Sequence, residues 1–261
     1  MWLPNAQSHR THNAMELQVS RRYTNGWFGT VSYVYSKSRQ LLRSAEHGRD
    51  PRPTIGTSFT GSAVRWAEHR PGGNANRSFD LDEILFDAHG NPGLEGRLAT
   101  DRPHVFKLYG GKSFRFGTEI GTFFRAMSGT PITTTVWTVN GIGVYPEGRG
   151  DAGRNPFFTQ TDLMVAHNVS LGESKKIRFE FNLDNLFNQK TSMYNFPNYN
   201  KEERGASSEI NLSQVDLSQG YDWRQLLSET PDGEFAKDPR YLKGALFNPG
   251  FQGRFLVKFI F

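Results

Sequence analysis

Eight charged side chains fall on the polar beat of alternating stretches: Glu16, Arg22, Lys107, Glu119, Arg125, Arg178, Glu180 and Asp184. Two chemistries suit them. Opposite charges facing each other across neighbouring strands form ion-pair ladders, and the same groups aimed at an open space form a surface that meets a ligand. The ladder is the simpler reading, and no one of the eight stands out from it as a ligand residue.

Other reactive residue types do not assemble into a site. His9-x-x-His12 suggests a metal pair, but no third ligand lies near it in sequence. Asp80-x-Asp82-Glu83 resembles the start of a calcium loop. Ile84 and Leu85 then occupy positions where that loop needs a ligand and a glycine, so a solvated acidic loop is expected. Gly141-x-Gly143 lacks a third glycine, and there is no Gly-Lys-Ser/Thr, so nucleotide binding has no support. Arg149-Gly150-Asp151 reads as turn chemistry. No Ser/His/Asp arrangement stands out, and no cofactor, metal site or catalytic residue is expected.

The elements that must position the charges are strands. Ile177, Phe179, Phe181 and Leu183 alternate with Arg178, Glu180, Asn182 and Asp184, after a polar turn at 172–176 and a preceding strand with Leu163, Val165, Val169 and Leu171 on one face. A period of two puts the apolar groups on one face and the charges on the other, whereas a helix would scatter both. His167 falls on the apolar face, which the pattern does not explain. Met15, Leu17, Val19 and Tyr23 alternate in the same way before Asn25-Gly26, a strong hairpin signal because both residues tolerate positive φ. The return strand carries Trp27, Val31, Tyr33 and Tyr35. A third strand runs near 103–111. A fourth follows from about 118, with Phe123 on its polar side, and a Thr-rich run extends it to Thr138. The last is 251–261, with Phe251, Phe255, Val257, Phe259 and Phe261 on one face.

Seven strands result, with alternating connections. Those at 25–26, 112–117 and 172–176 are short; those at 37–100, 132–158 and 189–249 are long and polar, the last with a helical turn near Trp223–Leu227. Short turns at one end and long loops at the other are the pattern of outer-membrane barrels, whose lipid face is apolar and whose lumen is wet. Composition agrees: 36% hydrophobic residues in 261 is low for a compact globule. No cysteine is present, so thiol chemistry is excluded, and no stretch of about 18 apolar residues predicts a membrane helix. The formal charge of +5 is spread through the loops, so nucleic acid is not an expected partner. Met1 to His12 has neither an apolar segment nor a small-residue cleavage site, so the barrel reading expects this chain to be the C-terminal piece of something longer.

Several stretches, in order, resemble the C-terminal barrel region of TonB-dependent outer-membrane receptors of the Oar-like kind. They are Met15-Glu16-Leu17 through Tyr33-Val34-Tyr35-Ser36, Asp101-Arg102-Pro103-His104, Ser128-Gly129-Thr130-Pro131, Asp162-Leu163, Asn185-Leu186-Phe187-Asn188 and the terminal Phe261. The resemblance implies an all-β fold, about seven antiparallel transmembrane strands of a barrel of about 22, in a single partial barrel domain over 1–261. It implies a place in the outer membrane of a Gram-negative cell and a part in ligand uptake, not an enzyme's role. The implied partners are outer-membrane lipid, a plug domain, the remaining strands, TonB acting through the plug, and the barrel-assembly machinery. That machinery would read Phe251, Phe255, Val257, Phe259 and Phe261, and the eight charges would face the lumen and its plug. A soluble β-sandwich that binds carbohydrate would need shorter strands and more even loops. A passive porin would need a complete, even-stranded barrel.

Overall fold

The computed structural model describes residues 9–42, 87–91, 94–139, 143–172, 175–201 and 207–261. The fold is all-β. Its main sheet contains β1 (His9–Thr24), β2 (Trp27–Leu42), β4 (His104–Ser113), β5 (Thr118–Met127), β8 (Phe158–Ser170), β9 (Lys176–Asp184) and β12 (Gln252–Ile260), paired in that order. Every pairing is antiparallel, and a short β3 (Leu94–Arg97) adds to β2 as the eighth strand. The sheet is open, with β1 and β12 at its two edges.

The register carries the alternation from strand to strand. Val19, Val31, Leu108 and Phe124 lie in one cross-strand row, and Ile120, Val165, Phe181 and Phe255 lie in another. A slip of one residue would invert every side chain, so the continuity of these rows fixes the pairing. Asn25 and Gly26 both take positive φ, 54° and 80°, as the hairpin signal requires. The short turns stand side by side along one edge: Ser113 N–H donates to Gly26 O at 2.7 Å, and Asn168 N–H to Gly117 O at 2.9 Å.

Three expectations need correction. The first hairpin is longer than the alternation suggests, because β1 begins at His9 and β2 continues to Leu42. The fourth strand ends at Met127 and is not extended to Thr138. The chain leaves the sheet at Ser128, where Gly129 passes so close to Asn155 that a Cβ would sit 1.7 Å from its carbonyl oxygen. Pro131 follows, with no N–H for a ladder bond.

The third correction concerns the core. The buried cluster is Val136, Val144, Ile210, Leu212, Leu217, Tyr221, Trp223, Leu227 and Ala236. Val136 comes from the run expected to extend the fourth strand, Trp223 and Leu227 from the expected helical turn, and the others from connections expected to be loops. Together they form a cap. The strand fragments β6 (Val136–Trp137) and β7 (Gly143–Val144) belong to the second long connection. The third supplies helix α1 (Trp223–Ser228), where the helical turn is expected, together with β10 (Ser192–Asn195) and β11 (Gly244–Phe247). Asp222 caps α1, its carboxylate accepting from the Arg224 and Gln225 N–H groups at 3.0 Å each. Asn200, fully buried, stands in for a strand: its amide oxygen accepts from Trp137 N–H, and its amide nitrogen donates to Trp137 O and Ser208 O. The first connection joins too, with Ala88 N–H donating to Pro146 O and Ala88 O accepting from Tyr221 N–H. These apolar residues have no period, so the alternation test that finds strands cannot find them.

Candidate functional site

The polar face of the sheet brings part of the predicted charge set together. Glu119 on β5, Ala166 on β8 and Glu180 on β9 share one row. Arg178, in the next row, bridges the two carboxylates: its Nη1 donates to Glu119 at 2.7 Å and its Nε to Glu180 at 3.0 Å. Asn182 donates to Glu180 at 2.9 Å, Asn168 donates to Glu119 at 3.3 Å, and Lys258 on β12 lies 3.6 Å from Glu180. Four strands are therefore tied by one network. A guanidinium between the carboxylates neutralises them and occupies the space where a cation would sit. Among the described residues, no group of three His, Asp or Glu side chains could hold a metal.

The other charges are placed separately. Asp184 pairs with Arg254 at 3.1 Å. Arg125 donates to Gln160 at 2.8 Å, Gln160 donates to Asp162 at 2.7 Å, and the Arg125 guanidinium lies 5.2 Å from the Phe158 ring centroid. Lys107 is directly opposite Arg125, a like-charge pairing that the Gln160 contact relieves on one side. Glu16 is exposed on β1, and Arg22 is exposed where the β1–β2 register shifts between Arg21 and Thr24. Among the described residues neither Glu16, Arg22 nor Lys107 makes an ion pair.

The two faces differ in an unusual sense. The Arg178 and Glu180 side chains are 17% and 15% exposed, whereas Phe181 is 49%, Phe255 55% and Phe259 67% exposed on the opposite face. Over β5, β8 and β9 the charged face is the sheltered one, whereas Glu16 and Arg22 on β1 and Arg254 and Lys258 on β12 are exposed. Phe251, Val257 and Phe261 are exposed as well, Phe261 almost completely. Phe255 packs against Phe181 with ring centroids 4.6 Å apart, so the last strand continues the apolar surface of β9.

The two irregular positions find local causes. Phe123 shares a shallow hollow on the polar face with Phe28 and Met164. Phe28 leans over Gly111 and Met164 over Gly121, and these two glycines face each other across β4 and β5. Their missing side chains make the room. His167 is exposed beside the short-turn edge, where its Nδ1 is 2.9 Å from Thr118 Oγ.

Of the stretches that carry the family resemblance, those at 101–104, 128–131 and 185–188 lie at the long-connection edge and serve as corners, whereas Phe261 follows β12 at the short-turn edge. Asp101 accepts from Ser38 N–H at 2.7 Å and pairs with Arg154, which also donates to Asp101 O and Gly129 O. Arg102 donates to Ser128 O at 2.7 Å. Asn185, at φ 52°, accepts from Gln189 N–H and donates to Pro249 O, and Asn188 accepts from Phe251 N–H. Arg154 has no periodic signal in sequence, and its role shows only once β4 and β8 are both paired with β5.

His12 Nδ1 is 2.7 Å from Ser38 Oγ, and the side chain of His9 lies outside the described residues. Asp80, Asp82 and Glu83 also lie outside them, as do Gly141 and the residue after it. Arg149-Gly150-Asp151 is a turn, with Gly150 at φ 76° and Asp151 accepting from Thr134 N–H at 2.8 Å.

No family model matches this chain, and no curated protein or solved structure matches it either.

Proposed function

We propose that this chain is the C-terminal part of the barrel of a TonB-dependent outer-membrane receptor of the Oar-like kind, taking part in ligand uptake across the outer membrane. The observation that carries the reading is the inverted burial: a sheet that shelters Arg178 and Glu180 while presenting Phe181, Phe255, Val257 and Phe259. In water this arrangement wastes the hydrophobic effect, since apolar area left exposed contributes nothing to folding. In a membrane the same face is solvated by lipid, and the charged face borders an aqueous lumen.

Dimensions support it. The ten residues of β4, at about 3.3 Å each and a barrel tilt near 40°, span about 25 Å, the height of an outer-membrane apolar band. Aromatic residues flank that height. Tyr23, Trp27, Phe114 and Phe116 lie at the short-turn edge, and Tyr33, Tyr35, Phe157, Phe187 and Phe251 lie at the other. On this reading the cap is extracellular, and the Glu119–Arg178–Glu180 network ties strands together along the lumen wall or meets a plug.

A β-sandwich module would cover the apolar face with a second sheet. Among the described residues the only other sheets are two-stranded and belong to the cap. The test is expression of the chain alone. It should aggregate in buffer, regain strand structure in detergent, and run as a heat-modifiable band on a gel. A soluble monomer that unfolds cooperatively in plain buffer would overturn the proposal.

A further inference from the structure

Arg102 stands apart from the other arginines near the cap. Its backbone is clamped, with Ser36 Oγ donating to Arg102 O at 3.1 Å and Ser36 N–H to Pro103 O at 2.9 Å. One guanidinium nitrogen, Nη1, donates to Ser128 O. Its remaining donors have no partner among the described residues, and no carboxylate pairs with it there. The neighbouring Asp101 is already taken by Arg154 and Ser38 N–H. Burial lowers the Arg102 pKa from its ordinary value, so the cation has lost water without gaining an anion.

This guanidinium lines an open cleft of about 480 Å³ on the polar side of the β1–β2 hairpin, a volume suited to a small molecule. Thr11, His12, Ser36, Ser38 and Thr100 line it as well. The two threonine hydroxyls can donate to an oxyanion and the hydrogen-bonded His12–Ser38 pair leaves one further donor, whereas the Ser36 hydroxyl is committed to Arg102 O; none of the lining residues is acidic. Leu98 and Val105 add an apolar wall that an inorganic ion cannot use.

We infer that this cleft is a binding site for a small organic anion, a carboxylate or phosphate ester held by the Arg102 fork, with the hydroxyls around it and the carbon skeleton against Leu98 and Val105. A planar guanidinium with free donors matches either oxyanion by paired hydrogen bonds. The site does not rest on the barrel reading; that reading adds only that the cleft opens at the outer mouth of the lumen.

The test uses the full chain, in detergent micelles or in buffer, whichever retains the strand signal in circular dichroism. Glucose 6-phosphate, hexanoate, inorganic phosphate and neutral glucose are titrated by calorimetry. The two organic anions should bind, inorganic phosphate should bind more weakly, and glucose should not bind. Arg102→Gln should weaken binding roughly tenfold or more, the scale of a lost charge-assisted pair. Because that change also removes the Ser128 contact, Thr100→Glu is the companion variant. Thr100 is exposed and makes no side-chain hydrogen bond among the described residues, so the change repels an anion without loosening the corner. It should weaken binding as much. Equal binding of glucose, equal binding of inorganic phosphate, wild-type affinity in Thr100→Glu, or a folded wild-type chain that binds no organic anion would each overturn the inference. A soluble monomer in buffer that binds hexanoate would support the inference while overturning the membrane reading. A chain that needs detergent and binds nothing would do the reverse.

Discussion

Replacing Phe181 by arginine separates a membrane sheet from a soluble one. Phe181 lies midway along β9, 49% exposed, between Val165 and Phe255 in its row, with the Phe255 ring at 4.6 Å. In water an exposed phenylalanine changed to arginine loses one ring contact, about 0.5–1.5 kcal/mol, and gains hydration. At the lipid midplane the same change adds the cost of a charge in hydrocarbon, about 2–4 kcal/mol. The two together come to about 3–5 kcal/mol, or roughly a hundredfold to several-thousandfold in the folding equilibrium. Phe181→Leu keeps the apolar character and gives up only the ring, so it should cost about 1 kcal/mol. Glu180→Ala, one residue away on the other face, removes contacts to Arg178, Asn182 and Lys258 but leaves Arg178 paired with Glu119 at 2.7 Å. Glu180 is only 15% exposed, so the lost charge-assisted bonds should cost about 1–3 kcal/mol, still less than Phe181→Arg at a lipid midplane. The assay is urea unfolding of a complete receptor that carries these strands, folded into lipid vesicles and followed by tryptophan fluorescence and gel mobility. Equal losses for Phe181→Arg and Glu180→Ala, or the reverse order, would show that the faces are assigned backwards.

Deleting Phe261, almost fully exposed beyond the end of β12, should leave refolding in detergent nearly unchanged while lowering the surface level of a receptor that carries this barrel. Normal insertion in cells would refute its role as an assembly signal, and impaired refolding would assign it to stability. Ile210→Ala and Leu217→Ala empty fully buried positions in the cap and should each destabilise it by about 2–5 kcal/mol. The near-UV dichroism of the cap tryptophans should be lost first, with the strand signal of the main sheet intact. Acid should do the same. The Asp238 carboxyl is held below its ordinary range by its hydrogen bonds to Arg240, so its contribution is complete above the ordinary carboxylate value and is lost as pH falls through the depressed one. Acidification below roughly pH 4 should therefore melt the cap before the sheet. In Asp238→Asn the cap should be weaker at neutral pH and its acid dependence smaller.

What could be read in advance divides along physical lines. Five of the seven long strands were legible because each repeats its signal over at least four apolar positions, while the third rested on Phe106 and Leu108 alone and the fourth on a pattern that Phe123 interrupts; their order follows from short turns such as Asn25-Gly26. The cap was not. Ile210, Leu212, Leu217 and Trp223 reach one cluster through irregular backbone held by Asn200, Asp222 and carbonyl bonds from two other connections, and no window of sequence contains those contacts. The charged face was half legible. Alternation placed Glu119, Arg178 and Glu180 on one side, but their meeting depends on a register spanning β5, β8 and β9. Arg102 shows the same limit from the other direction. Its neighbours Asp101 and His104 are spent on corner contacts and on Tyr33, and only the pairing of distant strands leaves its guanidinium without an anion.

The direction of the two edge strands constrains what can complete the sheet. Because the seven long strands form an antiparallel meander, β1 and β12 both run from the long-connection edge toward the short turns. Joining them directly, or joining β12 of one copy to β1 of another, would create a parallel seam among antiparallel neighbours. Membrane barrels avoid leaving a strand edge unsatisfied, since each bare N–H or carbonyl in hydrocarbon costs several kcal/mol. An antiparallel closure of this sheet therefore takes an odd number of further strands, entering beside β12 and leaving beside β1. On the proposed barrel reading, β12, which bears Phe255, Val257 and Phe259, and the 16-residue β1 would be the two seams of a larger wall. Mixing the chain with copies of itself should yield aggregates rather than a defined closed oligomer. A discrete homo-oligomer in detergent that resists unfolding as one unit would show that the parallel seam is tolerated and that no further strands are needed.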